Sequence, residues 1–156
     1  MNQSAEKYLG SNRGAAVLLV DEDLEFLEFI RRTIQGSGHS VDACNSYTEG
    51  IRRLESGAFD LIVVGQGSRN FEGRCVLECA TALDRHLPVV VVARNVEMGC
   101  YLEAMQLGAV DYISPGFSGL EIAHVVQTHA LRCKSRPGSV QPGRSTAAAI
   151  STGLAV

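Results

Sequence analysis

The middle of the chain, from Ala15 to Leu131, alternates short continuous apolar runs with stretches in which apolar residues recur every three or four positions. A continuous apolar run is typical of a strand buried on both faces of a parallel sheet, and the three-to-four spacing is typical of an amphipathic helix. The predicted strands are Ala16–Val20, Val41–Cys44, Phe59–Val64, Leu87–Ala93 and Val110–Ser114. The predicted helices are Leu24–Ile34, Tyr47–Leu54, Glu72–Arg85, Val96–Leu107 and Gly119–Leu131.

Five strands that alternate with five helices predict an α/β protein with a parallel sheet covered on both faces. Right-handed crossovers with the strand order 2-1-3-4-5 give a flavodoxin-like (βα)5 three-layer sandwich. We expect residues 1–14 to be a flexible lead, 15–132 to form the domain, and 133–156 to be a disordered tail or linker. The last segment is rich in Pro, Gly, Ser and small residues, which bury too little apolar surface to fold.

The periodicity also predicts which helix faces are apolar. In the first helix one face, which we expect to pack inward, carries Leu24, Leu27, Ile30 and Ile34. In the fourth helix one face carries Met98, Leu102 and Met105.

Composition narrows the class of protein. No apolar run in the 156 residues approaches the roughly 20 that span a bilayer, and the polar start of the chain does not have the pattern of a secretory signal. We therefore expect a cytoplasmic protein without membrane contact. The odd number of cysteines, five, favours free thiols over disulfides.

Charge is distributed unevenly along the chain. Residues 132–156 carry four basic and no acidic residues, whereas residues 1–131 carry 10 basic and 17 acidic residues. An acidic body is a poor surface for phosphate backbones, so we expect no nucleic-acid binding by this domain.

In sheets of this type, functional residues lie at the carboxyl ends of the strands. Asp21, Glu22 and Asp23 follow the first strand and open the first helix. Carboxylates at a helix N-terminus are stabilised there, and Asp23 can cap the helix. Clustered carboxylates also provide oxygen ligands for Mg²⁺, whereas they would repel the phosphates of a dinucleotide.

The order and spacing of several short segments resemble the receiver domain of two-component (phosphorelay) response regulators. The resemblance covers about residues 17–126, and its segments are V-L-L-V-D-E-D, F-D-L-I-V-V, the glycine at Gly73, L-P-V-V-V-V-A, and G-A-V-D-Y-I-S followed by Phe117. In that family an aspartate ending the third strand accepts a phosphoryl group. An acidic pair binds Mg²⁺, a hydroxyl residue ends the fourth strand, and a lysine follows the fifth. The resemblance places the acidic pair at Asp21 and Glu22.

Three of the family's functional positions hold residues without the required chemistry. The phosphoacceptor position is Gly65, the hydroxyl position is Ala93, and the lysine position is Pro115. The proline that usually follows the lysine is replaced by Gly116, while the aromatic switch position keeps Tyr112. Because nucleophile, hydroxyl and cation are absent together, we expect a degenerate receiver that is not phosphorylated and is not an enzyme.

Other residues could take over part of the missing chemistry. Arg69 and Arg94 are candidate cations that could pair with the acidic cluster in place of metal and lysine. A residual Mg²⁺ site would have Asp21, Glu22 and a backbone carbonyl such as that of Gly67, so we expect no cofactor, or Mg²⁺ bound only weakly.

Two further expectations concern nearby loops. Ser68 and Ser114 are hydroxyl residues that would need a base to act as nucleophiles, and neither has a histidine nearby in sequence, so we do not expect either to accept phosphate. Near the fifth strand, the Ser114–Pro115 bond is expected to be either a shifted cis peptide or trans.

The resulting interpretation is a phosphorylation-independent receiver that acts through protein–protein interaction. A signalling kinase or output protein is the expected partner, and a homodimer would form through the fourth helix, fifth strand and fifth helix. The candidate residues on that surface are Glu97, Tyr101, Met105, Tyr112, Glu121 and Gln127. Three alternatives remain open: a receiver that accepts phosphate by an atypical route, a flavodoxin-like protein that binds a small ligand, and an enzyme that uses the cleft carboxylates as acid and base.

Overall fold

The computed structural model describes residues 14–115 and 118–134. Five strands and five helices alternate along this part of the chain. The strands are β1 Ala16–Val20, β2 Ser40–Cys44, β3 Leu61–Gly65, β4 Val89–Val92 and β5 Asp111–Ile113. The helices are α1 Leu24–Gly36, α2 Tyr47–Ser56, α3 Arg74–Leu83, α4 Met98–Gln106 and α5 Leu120–Lys134.

The strands form one parallel sheet in the order β2-β1-β3-β4-β5, which confirms the predicted fold class. Every residue of β3 and β4 is buried, as expected for strands covered on both faces. Side chains alternate across the sheet and build two cores. Leu18 and Val20 of β1 point into the core under α2, α3 and α4, whereas Val17 and Leu19 point into the core under α1 and α5.

Side-chain caps mark where α1 and α2 begin. The Asp23 carboxylate caps α1 by accepting the amide of Phe26 at 2.9 Å. The Ser46 hydroxyl caps α2 by accepting the amide of Glu49 at 3.3 Å. Both contacts satisfy amides that have no partner within the helix.

Several predicted boundaries and faces were wrong. Leu24 is 63% exposed because it opens α1 at the sheet edge, and only Leu27, Ile30 and Ile34 of its predicted face are buried. Helix α3 begins at Arg74 rather than at about Glu72, because Glu72 and Gly73 form a turn that follows Phe71, whose φ is 55°. Helix α5 begins at Leu120 and continues to Lys134, three residues beyond its predicted end at Leu131.

The apolar face of α4 points to solvent. Met98 is 64% and Leu102 52% exposed, and Met105 is also exposed. The residues that pack this helix on the sheet are the smaller Cys100 and Ala104. The three-to-four spacing in α4 therefore identifies one apolar face of the helix, and the structure places that face on the surface.

The predicted chain ends lie almost entirely outside the described residues. Residues 1–13 of the predicted lead and 135–156 of the predicted tail lie outside the described residues.

Among the helices of the described ranges, none combines the length and apolar character needed to cross a bilayer.

Candidate functional site

The carboxyl ends of the central strands border an open cleft of about 690 Å³. The sheet register sets Val20 beside Val64, and Gly65 beside Val92, so the residues that follow β1, β3 and β4 come together. The acidic and basic residues of the lining are Asp21, Glu22, Asp23, Arg69, Glu72, Arg94 and Glu97. With all of them ionised the acidic groups outnumber the arginines, so the cleft favours cations over phosphates.

Gly65 has no free space beside it for a side chain. A Cβ atom at this position would lie 2.1 Å from Oδ2 and 2.6 Å from Cγ of Asp21. Asp21 is buried and held in this orientation by its Oδ1, which accepts the amide of Asp23 at 2.9 Å. Burial raises the pKa of the Asp21 carboxyl above its ordinary value. The Asp21 carboxylate thus occupies the space in which a side chain at position 65 would begin.

The backbone around Gly65 is also closely packed. Its carbonyl accepts the hydroxyl of buried Tyr47 at 3.1 Å, and a Cβ at Gly73 would come within 2.0 Å of the same carbonyl oxygen. The glycine that the family resemblance singled out therefore has a steric reason, because the α3 start passes directly against the end of β3.

The two arginines proposed as compensating cations have different partners. The Arg94 guanidinium forms an ion pair with the Asp23 carboxylate and lies over the Phe26 ring, 5.4 Å from its centroid. Arg69 instead pairs with Glu97 at 3.1 Å on the exposed rim. The amide of Phe26 and then Arg94 hold the pKa of Asp23 below its usual range. Of the two arginines, the one that reaches the acidic cluster is therefore Arg94.

The acidic cluster does not fit a Mg²⁺ site. Asp21 uses one oxygen for the Asp23 amide and turns the other towards Gly65. Asp23 is engaged in the α1 cap and in the Arg94 ion pair, which leaves the exposed Glu22 as the remaining carboxylate. Within the part of the chain that the structure describes, no group of three His, Cys, Asp or Glu residues could hold a metal ion. The residues present do not fit the metal that the family resemblance implies.

The serines near the cleft already have partners. The Ser68 hydroxyl hydrogen-bonds to the Glu72 carboxylate, and the Ser68 amide donates to the same group at 2.6 Å. The Ser114 hydroxyl donates to the carbonyl of Arg94 at 3.0 Å. Neither serine shows the serine–histidine pairing that activates a hydroxyl nucleophile.

The loop after β5 follows one of the two expected forms. No cis peptide bond occurs among the described residues, so the Ser114–Pro115 bond is trans. Pro115 brings no cation to this corner of the cleft. Gly116, the other predicted departure in this loop, lies outside the described residues.

The switch position is filled by a buried tyrosine. Tyr112 is 9% exposed and belongs to the same buried core as Ala93. It therefore does not lie on the interaction surface predicted from the sequence. Its hydroxyl donates to Oε1 of Gln66 and accepts the amide of Glu97 at 3.2 Å. Burial raises the pKa of Tyr112, so the hydroxyl keeps its proton.

Gln66 is a site residue that the sequence reasoning missed. It is 3% exposed although it lies just beyond the end of β3, at the start of a loop. The available signal was a polar residue placed between an entirely buried strand and a glycine-containing loop, since buried polar groups require partners.

The remaining candidate surface residues lie on α4 and α5. Tyr101 and Met105 of α4 are exposed, as are Glu121 and Gln127 of α5, whereas Glu97 is half-buried. Gln127 also contacts Nε2 of the buried His39 at 2.9 Å through its Oε1.

The family model and the similar sequences agree on one family. The sequence matches the Response regulator receiver domain family over residues 17–127. It is 30% identical over 129 residues to the response regulator protein FleR of Pseudomonas aeruginosa, covering 83% of this chain and 27% of FleR. It is 25% identical over 97 residues to the transcriptional regulatory protein ZraR of Escherichia coli K12, covering 62% of this chain and 22% of ZraR. The chain thus spans about a quarter of the length of these relatives.

Solved structures share the fold. A receiver domain from Clostridium thermocellum has a TM-score of 0.69 at 20% identity, covering 77% of this chain and 97% of that one. A CheY-like receiver domain from Methanospirillum hungatei has a TM-score of 0.70 at 19% identity, covering 78% and 97%.

Proposed function

Because the chain belongs to the response regulator receiver domain family of two-component signalling, we propose that it is a receiver that works without phosphorylation, by binding a protein partner. The observation that carries this proposal is the place of Asp21. Its carboxylate fills the space beside Gly65, so the position that accepts the phosphoryl group in the family has neither a nucleophile nor room for one.

The chemistry around that position supports the same proposal. Phosphoryl transfer requires an attacking atom and groups that neutralise the product. Gly65, Ala93 and Pro115 supply no nucleophile, no hydroxyl and no cation. In their place, Arg94 paired with Asp23 neutralises part of the acidic cluster permanently, which is the task that a metal ion and a lysine would otherwise share.

The proposed binding surface is formed by α4, β5 and α5. On α4 its exposed apolar residues include Met98 and Leu102, with Tyr101 and Met105 beside them. Contiguous exposed apolar side chains on a small domain mark an interaction site. Receivers of this family work with kinases and output domains, and a partner of that kind, or a second copy of this chain, is the proposed occupant. We also propose that the protein acts in the cytoplasm, without nucleic acid, cofactor or tightly bound Mg²⁺.

The experiment that tests the proposal is an NMR titration of amide resonances with Mg²⁺ and then beryllofluoride, which mimics a phosphoryl group on aspartate. We expect no saturable shifts at Asp21, Gly65, Ala93 or Tyr112. A working receiver titrated in parallel is the positive control.

Saturable shifts that reach Tyr112 would contradict the proposal and favour the atypical phosphate route. Mass spectrometry after incubation with acetyl phosphate separates that route further, because an aspartyl phosphate is lost in alkali whereas a phosphoserine at Ser68 or Ser114 would survive mild treatment. Intact mass without any phosphoryl adduct supports the proposal.

A further inference from the structure

The hydroxyl of Tyr112 has both of its hydrogen-bonding positions filled by this chain. It donates to Oε1 of Gln66, at the end of β3, and accepts the amide of Glu97, the residue before α4, at 3.2 Å. Tyr112 and Gln66 are 9% and 3% exposed, so water contributes little to either. A buried and fully partnered hydroxyl is costly to move, because leaving its partners unsatisfied is unfavourable.

Gln66 is itself fixed by its other polar groups. Its amide donates to the carbonyl of Val92 at 2.8 Å, and its own carbonyl accepts the amide of Gly73 at 3.1 Å. Its side-chain Nε2 donates to the carbonyl of Ser68 at 3.2 Å. The acceptor that Tyr112 uses is therefore anchored to both central strands and to the following loop.

The amide of Glu97 gives this contact a mechanical consequence. Glu97 is the N-cap residue of α4, and its side chain makes no capping hydrogen bond within the helix. By accepting the Glu97 amide, Tyr112 connects the start of α4 to β3 through Gln66. A change in the position of Tyr112 would release the start of the helix that carries the exposed apolar stripe.

Other polar contacts connect α4 with the loop after β3 or with α3. The buried Cys100 thiol of α4 donates a weak hydrogen bond to the Arg69 carbonyl at 3.5 Å, and two ion pairs lie on the surface. Arg69 pairs with Glu97 and Arg74 pairs with Glu103, and all four side chains are about one-third exposed or more. Exposed ion pairs of this kind hold structure weakly because water and salt screen them. The buried hydrogen bonds of Tyr112 therefore form a polar link between the end of β3 and the start of α4 that water screens less than it screens these ion pairs.

We propose that Gln66 is a positioning residue that holds Tyr112 buried and so fixes the start of α4 without any ligand or phosphoryl group. This inference rests on the proposed function and adds how the binding surface is kept in one conformation. The rival explanation is that packing alone holds the ring, since Tyr101 contacts it edge-to-face with centroids 5.6 Å apart.

The experiment uses the full chain labelled with 3-fluorotyrosine, in which the four tyrosines give separate ¹⁹F resonances and Tyr112→Phe assigns the one at issue. In the wild type we expect a single Tyr112 resonance that a soluble paramagnetic agent does not broaden. Gln66→Met keeps the length of the side chain and removes both the Oε1 acceptor that Tyr112 uses and the Nε2 donor to Ser68. We expect it to broaden or split that resonance and to expose it to the agent.

Amide hydrogen exchange at Glu97 supplies a second readout. We expect exchange to rise about fivefold or more in Gln66→Met, the factor that corresponds to the net contribution of one hydrogen bond. Arg74→Gln, which breaks an exposed ion pair between α3 and α4, is the control for loss of a surface contact to α4 and should change neither readout. If Gln66→Met does not fold, Tyr112→Phe keeps the ring and should still raise exchange at Glu97 by a similar factor.

The outcomes separate the two claims. A Tyr112 resonance that stays single and protected in Gln66→Met, or an equal effect of Arg74→Gln, overturns the positioning role. The beryllofluoride titration of the wild type decides the proposed function independently, because it does not depend on how Gln66→Met behaves.

Discussion

Substituting Gly65 by alanine tests whether Asp21 occupies the space of the missing side chain. The new methyl carbon would lie 2.1 Å from Oδ2 and 2.6 Å from Cγ of Asp21, so the carboxylate must rotate away. The rotation breaks the hydrogen bond from the Asp23 amide to Oδ1. Gly65→Asp would have the same collision and would add a second carboxylate beside the first, so it is not expected to restore phosphorylation.

The magnitude follows from these two effects. Loss of a hydrogen bond to a charged group costs about 1.5–3 kcal/mol, and forcing an extra methyl group into a packed interior costs about 1–3 kcal/mol. The effects overlap because one rotation relieves both. We therefore expect Gly65→Ala to lower the free energy of unfolding by about 2–4 kcal/mol, a range set by those two contributions.

The assay is urea denaturation followed by circular dichroism, with Gly65→Ala made in the wild type and in Asp21→Ala. With only a Cβ left at position 21, the closest approach becomes 3.2 Å, which small shifts accommodate. In that background we expect Gly65→Ala to cost less than about 1 kcal/mol, so the two positions should be strongly coupled. Equal costs of Gly65→Ala in both backgrounds would refute the steric argument.

The remaining predictions use the same unfolding assay. Asp23→Ala removes the α1 cap and should cost about 1 kcal/mol, whereas Arg94→Gln breaks an exposed ion pair and should cost less than about 1 kcal/mol, with the loss shrinking in high salt. Gly73→Ala brings a methyl against the Gly65 carbonyl oxygen, 2.0 Å away, and should cost at least about 2 kcal/mol because backbone cannot rotate aside; a near-neutral result would contradict that contact. Leu102→Glu should change stability by less than about 0.5 kcal/mol because Leu102 is exposed, and a larger loss would mean that this face is buried. The pKa of Asp21 in the folded protein lies above its ordinary value of 3.8, so between these two values the folded protein holds a proton that the unfolded chain has lost. The contribution of this group to the free energy of unfolding therefore falls as the pH rises from about 3.8 through the raised pKa. Asp21→Asn should remove that part of the pH dependence.

The strand order and the central strands were predictable because the signal was strong. Val89–Val92 has no polar residue, and a fully buried strand is the usual environment for such a run. The fourth helix was less predictable because the spacing of Met98, Leu102 and Met105 is the same whether that face meets a core or solvent. Periodicity identifies a face of a helix but not what covers it.

The residue types at the site could be predicted from the sequence, but the contacts of Asp21 and Gln66 could not. The positions of Gly65, Ala93 and Pro115 follow from alignment with the family pattern, and so does the absence of their chemistry. The rotation of Asp21 into the space beside Gly65 depends on three-dimensional packing, which the sequence does not carry. The contact between Gln66 and Tyr112 joins residues 46 positions apart, and no local pattern marks such a pair.

The closed hydrogen-bonding of the Tyr112 hydroxyl has a consequence for how information could pass through this molecule. A ligand shifts an equilibrium only to the extent that it binds one conformation better than the other. If the chain's own residues already hold Tyr112 in one state, a phosphoryl group at position 65 is not needed to select that state. Partner occupancy would then vary with the abundance of this protein and with competitors for the same surface, so cells would regulate it by dosage through synthesis and degradation.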